Sequence, residues 1–312
     1  MNVHAPTRIV RTWHMDSRRW AGYRPREGDV IVGTYPKCGT TWTQQIVCLL
    51  IFQSPEPRAI STVAPWIDAR FTVPIDKMLE TIEAQSHRRS LKSHLPLDAL
   101  PYVHDVRYIH VARDGLDAFM SWHNHSTRYN RSNLLDDAGL ADETIAKPYP
   151  RPQEDPRDFF QSWMGLVPGT ESDVSAKAFF DTERTWWAAR DRPNMLFVHY
   201  NDLSANLDLE MRRIADFLKI KTPATLWPDL VHAASFEAMK RDGGALMPNA
   251  GTAWLGGHEA FLFQGRNERW RGILSEAEVE LYRARAAQEL TPGLALWLSH
   301  GRNNKDPRMS AA

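Results

Sequence analysis

The chain has 312 residues, of which 43% are hydrophobic and 10% aromatic, so it contains enough apolar material to bury a large core. Its 38 basic and 38 acidic residues cancel, which excludes attraction to nucleic acid or an anionic membrane through net charge and makes any anion site local. The longest apolar run, 46–52, is far shorter than a membrane span, residues 1–11 lack the apolar core of a signal peptide, and the 2 cysteines form no disulfide framework. We therefore expect a cytoplasmic globular protein with no nucleic-acid or membrane partner.

The first predicted element is a strand over residues 29–34, an apolar run that ends in glycine and threonine. A loop over 35–39 and an apolar stretch over 42–52 follow it, which predicts a strand, a tight loop and a helix in that order. A phosphate at this junction would meet the unpaired N–H groups of the first helical turn, the positive end of the helix dipole and the ammonium group of Lys37. An ordinary turn with a surface lysine is the alternative, but the consecutive threonines at 40–41 favour a phosphate site.

Two further units of strand and helix follow along the chain. The first has a strand over 106–111, a turn with Asp114 as the helix N-cap, and a helix over 116–122. The other has a strand over 194–200 and an amphipathic helix over 206–218. Strands that alternate with helices predict an α/β fold with a central parallel sheet flanked by helices.

Hydrophobic periodicity disappears between residues 127 and 158, and several prolines crowd the end of this stretch. A segment of that kind in a compact enzyme predicts a flexible lid or a disordered insertion. No internal repeat, low-complexity tract or linker divides the chain, so we expect one domain over 1–312 with a frayed tail after Gly301.

The predicted phosphate loop differs from the loop of nucleoside triphosphatases, Gly-x-x-x-x-Gly-Lys-Ser/Thr, in which the last hydroxyl binds magnesium. Here Lys37 precedes Gly39 instead of following it, and the spacing between Gly33 and Gly39 is one residue too long. The magnesium-binding hydroxyl is therefore out of register. A phosphate site without a metal fits the sequence better.

Residues 35–42, Tyr-Pro-Lys-Cys-Gly-Thr-Thr-Trp, resemble the 5′-phosphosulfate loop of the cytosolic sulfotransferase family, Tyr-Pro-Lys-Ser-Gly-Thr-Thr-Trp. The one departure is Cys38 in place of serine. The resemblance implies that the chain uses 3′-phosphoadenosine 5′-phosphosulfate (PAPS) and releases adenosine 3′,5′-bisphosphate (PAP). It also implies that Lys37 contacts the bridging oxygen of the leaving phosphate, that residues 39–41 hold the 5′-phosphate and that Trp42 stacks on adenine.

Residues 91–96, Leu-Lys-Ser-His-Leu-Pro, resemble the family's Lys-Thr-His-Leu-Pro segment, whose histidine is the general base. The resemblance implies that His94 takes the proton of the acceptor hydroxyl and that Lys92 assists. A histidine near its ordinary pKa can do this at neutral pH. His94 is one of 12 histidines, and without this context each would be expected to be a surface or packing residue.

Residues 113–121 resemble the family's 3′-phosphate element, in which an arginine and a serine on the following helix bind that phosphate. The resemblance assigns these roles to Arg113 and Ser121. An arginine fork suits a pair of phosphate oxygens, and a serine adds a neutral donor. Without the phosphate loop, Arg113 would be expected to be a solvated loop residue.

Two later segments agree with the family more loosely. Residues 197–203 resemble its Tyr-Glu-Asp-Leu stretch, and residues 234–240 resemble its Thr-Ser-Phe-x-x-Met segment. The resemblance implies that Tyr200 and Phe236 line the adenine pocket, although either aromatic residue taken alone would be expected in the core.

Residues 263–271 fall on the family's Arg-Lys-Gly-x-x-Gly-Asp-Trp-Lys loop but lack the Arg-Lys pair and the second glycine. By this match Gly265 still donates its backbone N–H group to the 3′-phosphate, and Arg266 supplies the missing charge. The family's dimer motif would fall on 271–280, where Ser-Glu at 275–276 replaces its central Thr-Val pair. The sequence therefore leaves both a monomer and a homodimer open.

The resemblance covers about residues 29–270, and the overall pattern resembles bacterial members of the family, including glycolipid-directed ones, as well as phenol- and steroid-directed members. It implies in-line attack of an acceptor hydroxyl on sulfur, without a metal. The residues implied in catalysis are Lys37, Lys92 and His94. The residues implied in donor binding are Lys37, Cys38, Gly39, Thr40, Thr41, Trp42, Arg113, Ser121, Tyr200, Phe236, Gly265 and Arg266.

The acceptor is predicted only as a class, a small and largely apolar molecule with a hydroxyl group, such as a phenol, an alcohol, a steroid or a glycolipid. Residues 62–67 and the aromatic cluster of Phe159, Phe160 and Trp163 are candidates for its pocket wall or, equally, for the core. The rival interpretations are a small-molecule kinase that uses ATP and a catalytically inactive module that binds adenine nucleotides.

Overall fold

The computed structural model describes residues 2–70, 73–130, 151–170 and 172–302. The strands in these ranges are β1 (Val3–His4), β2 (Val30–Gly33), β3 (Ser90–Ser93), β4 (Tyr102–Val103), β5 (Arg107–Ala112) and β6 (Met195–His199). The α-helices are α1 (Thr40–Phe52), α2 (Ile60–Val63), α3 (Ile75–Ala84), α4 (Gly115–Ser126), α5 (Pro156–Trp163), α6 (Ala176–Trp187), α7 (Tyr200–Ala205), α8 (Leu207–Leu218), α9 (Trp227–Ala233), α10 (Phe236–Arg241), α11 (Gly243–Leu246), α12 (Ala250–Ala253), α13 (Gly257–Phe261), α14 (Glu276–Glu289) and α15 (Pro292–His300). Short 3₁₀ helices occupy Ser17–Gly22 and Leu97–Ala99.

Four strands form the central sheet in the order β3-β2-β5-β6, and every neighbouring pair is parallel. Gly33 at the end of β2 pairs with Ser93 on one side and with His110 on the other, so these strands end at nearly the same level. Because the sheet is parallel, the loops that leave the carboxyl ends of the strands lie together at one edge. The predicted α/β architecture with a central parallel sheet is confirmed.

Helices cover both faces of this sheet, as the burial of β2 shows. Val30 and Val32 belong to the same buried cluster as Ile46 of α1 on one face, while Ile31 belongs to the larger cluster on the other face, which includes Phe119 of α4. All of these side chains are fully buried. A strand that is apolar on both faces is typical of a parallel sheet between two helical layers.

The predicted strand and helix units are present with small changes at their ends. Helix α1 begins at Thr40, two residues before the predicted start at 42, and α4 extends to Ser126. The predicted N-cap is confirmed, because Oδ1 of Asp114 accepts the backbone N–H of Leu116 at 2.9 Å. Strand β3 was not predicted, since Ser90–Ser93 is short and three of its four residues are polar.

Residues 131–150 of the predicted lid lie outside the described residues. At its C-terminal end the prediction was too long, because α5 begins at Pro156 with the Asp155 carboxylate capping its first turn. The interpretation of Phe159, Phe160 and Trp163 as a pocket wall is wrong. These side chains pack around Phe119 in the core, with ring centroids 5.4–5.8 Å from it.

Ser275, which replaces part of the family's dimer motif, starts a helix. Its hydroxyl accepts the backbone N–H of Glu278 at 3.3 Å, and the Glu278 carboxylate accepts the backbone N–H of Ser275 at 2.7 Å. This reciprocal capping box stabilises the first turn of α14. Among the described helices, none is long and apolar enough to cross a membrane.

Candidate active site

A cavity of about 1220 Å³ opens at the edge of the sheet where β2, β3, β5 and β6 end. The predicted site residues that line it are Lys37, Gly39, Thr40, Thr41, Trp42, Lys92, His94, Arg113, Ser121, Tyr200, Phe236, Gly265 and Arg266. Cys38 is the predicted residue that does not line the cavity. Its thiol is fully buried and faces the carbonyl oxygen of Pro36 at 3.9 Å, and burial raises its pKa well above the ordinary value. Only the backbone of Cys38 is left to contact a donor.

The loop between β2 and α1 adopts the strained backbone of a phosphate cradle. Lys37 has φ of 71° and Gly39 has φ of 111°, both in the left-handed region. A Cβ atom at Gly39 would also lie 3.1 Å from the ring of Tyr200. Gly39 is the N-cap of α1, and no side chain in the described ranges caps this turn. The N–H groups at the start of α1 are therefore presented to the cavity as an anion site.

Within the described ranges, Lys37 contacts aromatic and imidazole side chains and forms no salt bridge with a carboxylate. Its ammonium nitrogen lies 3.2 Å from Nδ1 of His125 and 4.2 Å from the ring centroid of Phe261. Burial, followed by the positive charges of Lys92 and Arg113, lowers the pKa of Lys37 to about 7. A buried cation without a counter-charge is the state that a bound anion would stabilise.

Lys92 extends from β3 into the same cavity. Its ammonium nitrogen lies 4.2 Å from the ring centroid of Trp66, and burial lowers the pKa of Lys92 to about 8. The indole N–H of Trp66 donates to Asp68 at 2.7 Å, which fixes the ring beneath the lysine. Trp66 belongs to the predicted segment 62–67, and the part of that segment that lines the cavity is Thr62, Ala64, Pro65 and Trp66.

The ring of His94 is fixed in one tautomer. Its Nδ1 lies 2.9 Å from the carbonyl oxygen of Thr34, and a carbonyl can only accept, so Nδ1 carries the proton and Nε2 carries the lone pair. The backbone N–H of His94 donates to the buried carboxylate of Asp68 at 3.2 Å, and the Thr34 hydroxyl links the ring to the Thr40 hydroxyl of α1.

The pKa of His94 differs from the sequence-based expectation. We expected a histidine near its ordinary pKa, but burial and the positive charge of Lys92 lower the pKa of His94 well below that value. His94 is therefore neutral at physiological pH, with a free lone pair on Nε2. A neutral imidazole is the form that can accept a proton from a hydroxyl group.

Arg113 ties the phosphate loop to the segment around residue 267. Its guanidinium group donates to Oδ1 of Asn267 at 2.6 and 2.8 Å, to the carbonyl oxygen of Lys37 at 3.2 Å and to the carbonyl oxygen of Arg266 at 3.2 Å. It also lies 4.0 Å from the ring centroid of Tyr200. None of these hydrogen-bond partners is a carboxylate.

The predicted adenine pocket is built from aromatic rings on different elements. Trp42 packs edge-on against Tyr200 with centroids 5.4 Å apart, and its indole N–H donates to the carbonyl oxygen of Ala234 at 2.8 Å. Gly265 has φ of 64°, and a Cβ atom there would lie 2.7 Å from the ring of Phe236. Only glycine allows the backbone to approach this ring so closely.

The family model described as "Sulfotransferase domain" matches residues 27–291. The chain belongs to the sulfotransferase family. The glycolipid sulfotransferase of Mycobacterium tuberculosis is 33% identical over 314 aligned positions, and the alignment covers 96% of each chain. Sulfotransferase 1A1 of Rattus norvegicus is 28% identical over 273 residues, which cover 84% of each chain. These findings confirm the family resemblance and the prediction that the chain is a sulfotransferase enzyme.

Solved structures agree with the fold of this sulfotransferase. A mouse sulfotransferase complexed with PAP superposes with a TM-score of 0.67 and 16% identity, covering 95% of this chain and 97% of that one. Retinol dehydratase in complex with androsterone and the inactive cofactor PAP gives a TM-score of 0.67 and 23% identity, covering 88% of this chain and 84% of that one. At these low sequence identities, the structural similarity shows a shared fold and nothing more.

The sulfotransferase site also contains residues that the sequence analysis missed. Arg269 lines the cavity, donates to the carbonyl oxygen of Met120 at 2.8 Å, and its charge contributes to the lowered pKa of Lys37. The charge missing from the family's Arg-Lys pair was assigned instead to Arg266, which is exposed and bonded to Gln264 at 3.2 Å. His125 was missed because no motif includes it, although its place one turn after Ser121 on a helix puts both on one face.

Proposed function

We propose that this sulfotransferase transfers the sulfuryl group of PAPS to a hydroxyl group of a small, largely apolar acceptor, and that one domain carries the whole site. The observation that supports this best is the convergence of Lys37, His94 and Arg113 on one cavity from the ends of three adjacent strands. The reaction requires a cation that stabilises the leaving phosphate, a neutral base and an arginine that binds phosphate.

The residues of the cavity fit a donor with several phosphate oxygens. Lys37, Lys92, Arg113 and Arg269 all line it, and burial followed by the charges of the other three lowers the pKa of Lys37. Repulsion of this kind is relieved when an anion binds among the cations. The uncapped first turn of α1 adds backbone N–H groups to the same site.

Each residue has a distinct task in the reaction. Lys37 stabilises the negative charge that appears on the bridging oxygen as the sulfur–oxygen bond breaks, and Lys92 assists. His94 accepts the acceptor's proton at Nε2 while the new oxygen–sulfur bond forms, and PAP leaves. Arg113 and Ser121 bind the 3′-phosphate, so that the donor is held in line with the acceptor.

The acceptor half of the cavity is largely aromatic. Its wall includes Trp66, Trp122, Tyr129, Trp254 and Phe261. Such a wall favours an apolar body on the acceptor. The mycobacterial relatives are named glycolipid sulfotransferases, which supports an amphiphilic alcohol or a glycolipid among the predicted acceptor classes. A cytoplasmic location also stays a prediction.

A comparison of nucleotides tests the donor assignment. We expect PAP to raise the melting temperature in the presence of EDTA, because the cationic site requires no metal ion to bind it. ATP should have a smaller effect under the same conditions. Stabilisation by ATP that depends on magnesium, together with no response to PAP, would favour the kinase and contradict the proposal.

A further inference from the structure

The carboxylate of Asp68 lies next to the cavity without lining it, and no motif used above includes it. Its side chain is fully buried. Oδ2 accepts the indole N–H of Trp66 at 2.7 Å and the backbone N–H of His94 at 3.2 Å, and Oδ1 accepts the indole N–H of Trp20 at 3.0 Å. One buried carboxylate therefore holds the main chain of the base and an aromatic ring of the cavity wall.

These donors suit the charged form of the carboxylate. An ionised carboxylate can only accept hydrogen bonds, and three N–H groups point at its two oxygens. Burial raises the pKa of Asp68, but the hydrogen bonds that it accepts oppose this rise. Asp68 is therefore an anion that the surrounding N–H groups stabilise.

The segment that carries Asp68 is fixed by two other parts of the chain. The backbone N–H of Lys92 in β3 donates to the carbonyl oxygen of Pro65 at 2.9 Å, and the backbone N–H of Asp16 donates to the carbonyl oxygen of Asp68 at 2.9 Å. The carboxylate therefore keeps one position relative to β3, the strand that carries Lys92 and leads into His94.

The ammonium group of Lys92 contacts the same ring that binds Asp68. It lies 4.2 Å from the Trp66 ring centroid, while the N–H at the edge of that ring donates to Asp68. Burial lowers the pKa of Lys92 to about 8, and the negative charge of Asp68 limits this decrease. Without that charge, we expect the pKa of Lys92 to fall further.

Other titratable groups surround this pair. Burial lowers the pKa values of three groups that line the cavity, and the charge of Lys92 adds to each decrease; these groups are Lys37, His94 and His125. Burial also lowers the pKa of Arg19, which the charge of Asp68 partly offsets. Among these groups, Asp68 supplies the negative charge that acts on Lys92.

We propose that Asp68 is a positioning residue for sulfuryl transfer. Its carboxylate provides the counter-charge that keeps Lys92 cationic beside the donor, and its hydrogen bonds hold His94 and Trp66 in the arrangement that the reaction uses. Asp68 acts through these three residues and touches neither donor nor acceptor. This inference rests on the proposed function, because it concerns the lysine and the base of the same reaction.

The test is the pH dependence of kcat/KM for PAPS, measured between pH 6 and pH 10 with saturating n-octyl β-glucoside. We define the alkaline midpoint as the pH at which kcat/KM has fallen to half of its plateau. Asp68→Asn keeps the shape of the side chain and removes its charge, so a larger fraction of Lys92 is neutral at each pH. We expect the alkaline midpoint to move down by about 0.5–1 pH unit and kcat at pH 7 to fall by about tenfold or more.

A second substitution assigns the shift to Lys92. In a Lys92→Met background, Asp68→Asn should move the alkaline midpoint by less than about 0.2 unit, because the group that responds to the charge is absent. A shift as large as in the wild-type background would mean that Asp68 acts through another group, and the proposal would be wrong. An unchanged midpoint in Asp68→Asn itself would also overturn it.

Two controls separate the charge from the loss of buried structure in general. Glu183→Gln makes the same change at another fully buried carboxylate, whose Oε2 lies 2.9 Å from Nε2 of His110 outside the cavity lining. Trp20→Phe removes one hydrogen bond to Asp68 and leaves its charge. Both should lower the melting temperature and leave the alkaline midpoint within about 0.2 unit of wild type. Equal shifts in Glu183→Gln and Asp68→Asn would contradict a specific role for Asp68.

The test stays decisive if Asp68→Asn alone does not fold. The double variant Asp68→Asn/Lys92→Met should then fold, because replacing both partners costs less than leaving one of them buried without the other. If neither variant folds, Asp68 serves the fold and not Lys92, and the proposal is overturned.

The outcomes also separate this inference from the proposed function. Failure of wild type to transfer sulfuryl from PAPS would overturn the proposed function. The pH dependence of PAP affinity, measured by calorimetry, requires no transfer and still shows whether Asp68 sets the charge of Lys92. Its alkaline midpoint should move down in Asp68→Asn, and an unchanged midpoint would refute the counter-charge.

Discussion

The ammonium nitrogen of Lys37 lies 3.2 Å from Nδ1 of His125, and this imidazole is neutral because burial and the charge of Lys37 lower its pKa well below the ordinary value. His125 therefore accepts a hydrogen bond from Lys37 without neutralising its charge. The other charged groups that act most strongly on Lys37 are cations. As a result, the protonation of Lys37 is coupled to anion binding.

We expect PAP binding to take up protons at pH 8. The pKa values of Lys37 and Lys92 are about 7 and about 8, and a bound anion raises both, so the complex binds more protons than the free enzyme above pH 7. PAP affinity should therefore fall as pH rises from 7 to 9. Calorimetry in two buffers of different ionisation enthalpy measures the uptake, and Lys37→Arg should reduce it. Zero uptake at pH 8 would contradict the coupling.

Replacement of the loop lysine should affect the chemical step. Lys37→Ala removes the charge that stabilises the leaving phosphate, and we expect kcat to fall by about 10²-fold or more. Steady-state assays with PAPS and a saturating acceptor measure the change. An unchanged kcat would rule out the role given to Lys37.

Replacement of the base should separate chemistry from donor binding. His94→Ala should lose most sulfuryl transfer, since it removes the base assigned to the acceptor's proton, while PAP affinity measured by calorimetry stays close to wild type. His104→Ala, at an exposed histidine outside the cavity lining, is the control and should leave both quantities unchanged. A collapse of PAP affinity in His94→Ala would indicate that His94 has a structural role.

Arg113 should carry the discrimination between PAPS and adenosine 5′-phosphosulfate, which lacks the 3′-phosphate. Loss of one charge-assisted contact costs about 1.5–3 kcal/mol, so Arg113→Ala should weaken binding of the 3′-phosphorylated nucleotide by about tenfold to hundredfold. Ser121→Ala should have a smaller effect, because its donor is neutral. The nucleotide without the 3′-phosphate should bind both variants almost as it binds wild type.

Arg113 also supports the local structure, so its substitution needs a control. Asn267→Ala removes the side chain that accepts two of the Arg113 hydrogen bonds but keeps the charge. It should lower the melting temperature and preserve most of the preference for the 3′-phosphate. If Arg113→Ala weakens both nucleotides equally, the assignment of the 3′-phosphate site is wrong.

The strand, loop and helix units could be predicted because local patterns determine them. The apolar run of β2, the loop that ends in Gly39 and the Asp114 cap can each be recognised from a few neighbouring residues. Strand β3 was missed because three of its four residues are polar, and its place in the sheet depends on pairing with β2. The formation of this strand therefore depends on tertiary contacts, which the strand propensities of its residues do not reflect.

The site residues that the sequence analysis did not predict were missed for a different reason. Arg269 and His125 reach the cavity only through the packing of the segment around 267 and of α4. The pKa of His94 could not be predicted either, because burial and the position of Lys92 determine it.

Sulfuryl transfer itself is tested most directly with PAPS labelled with ³⁵S, incubated with the enzyme, n-octyl β-glucoside and EDTA. We expect label to appear in the glucoside with an equal amount of PAP, and we expect Lys37→Ala and His94→Ala to abolish most of this product. Transfer of labelled phosphate from ATP in the presence of magnesium, with none from PAPS, would contradict the account.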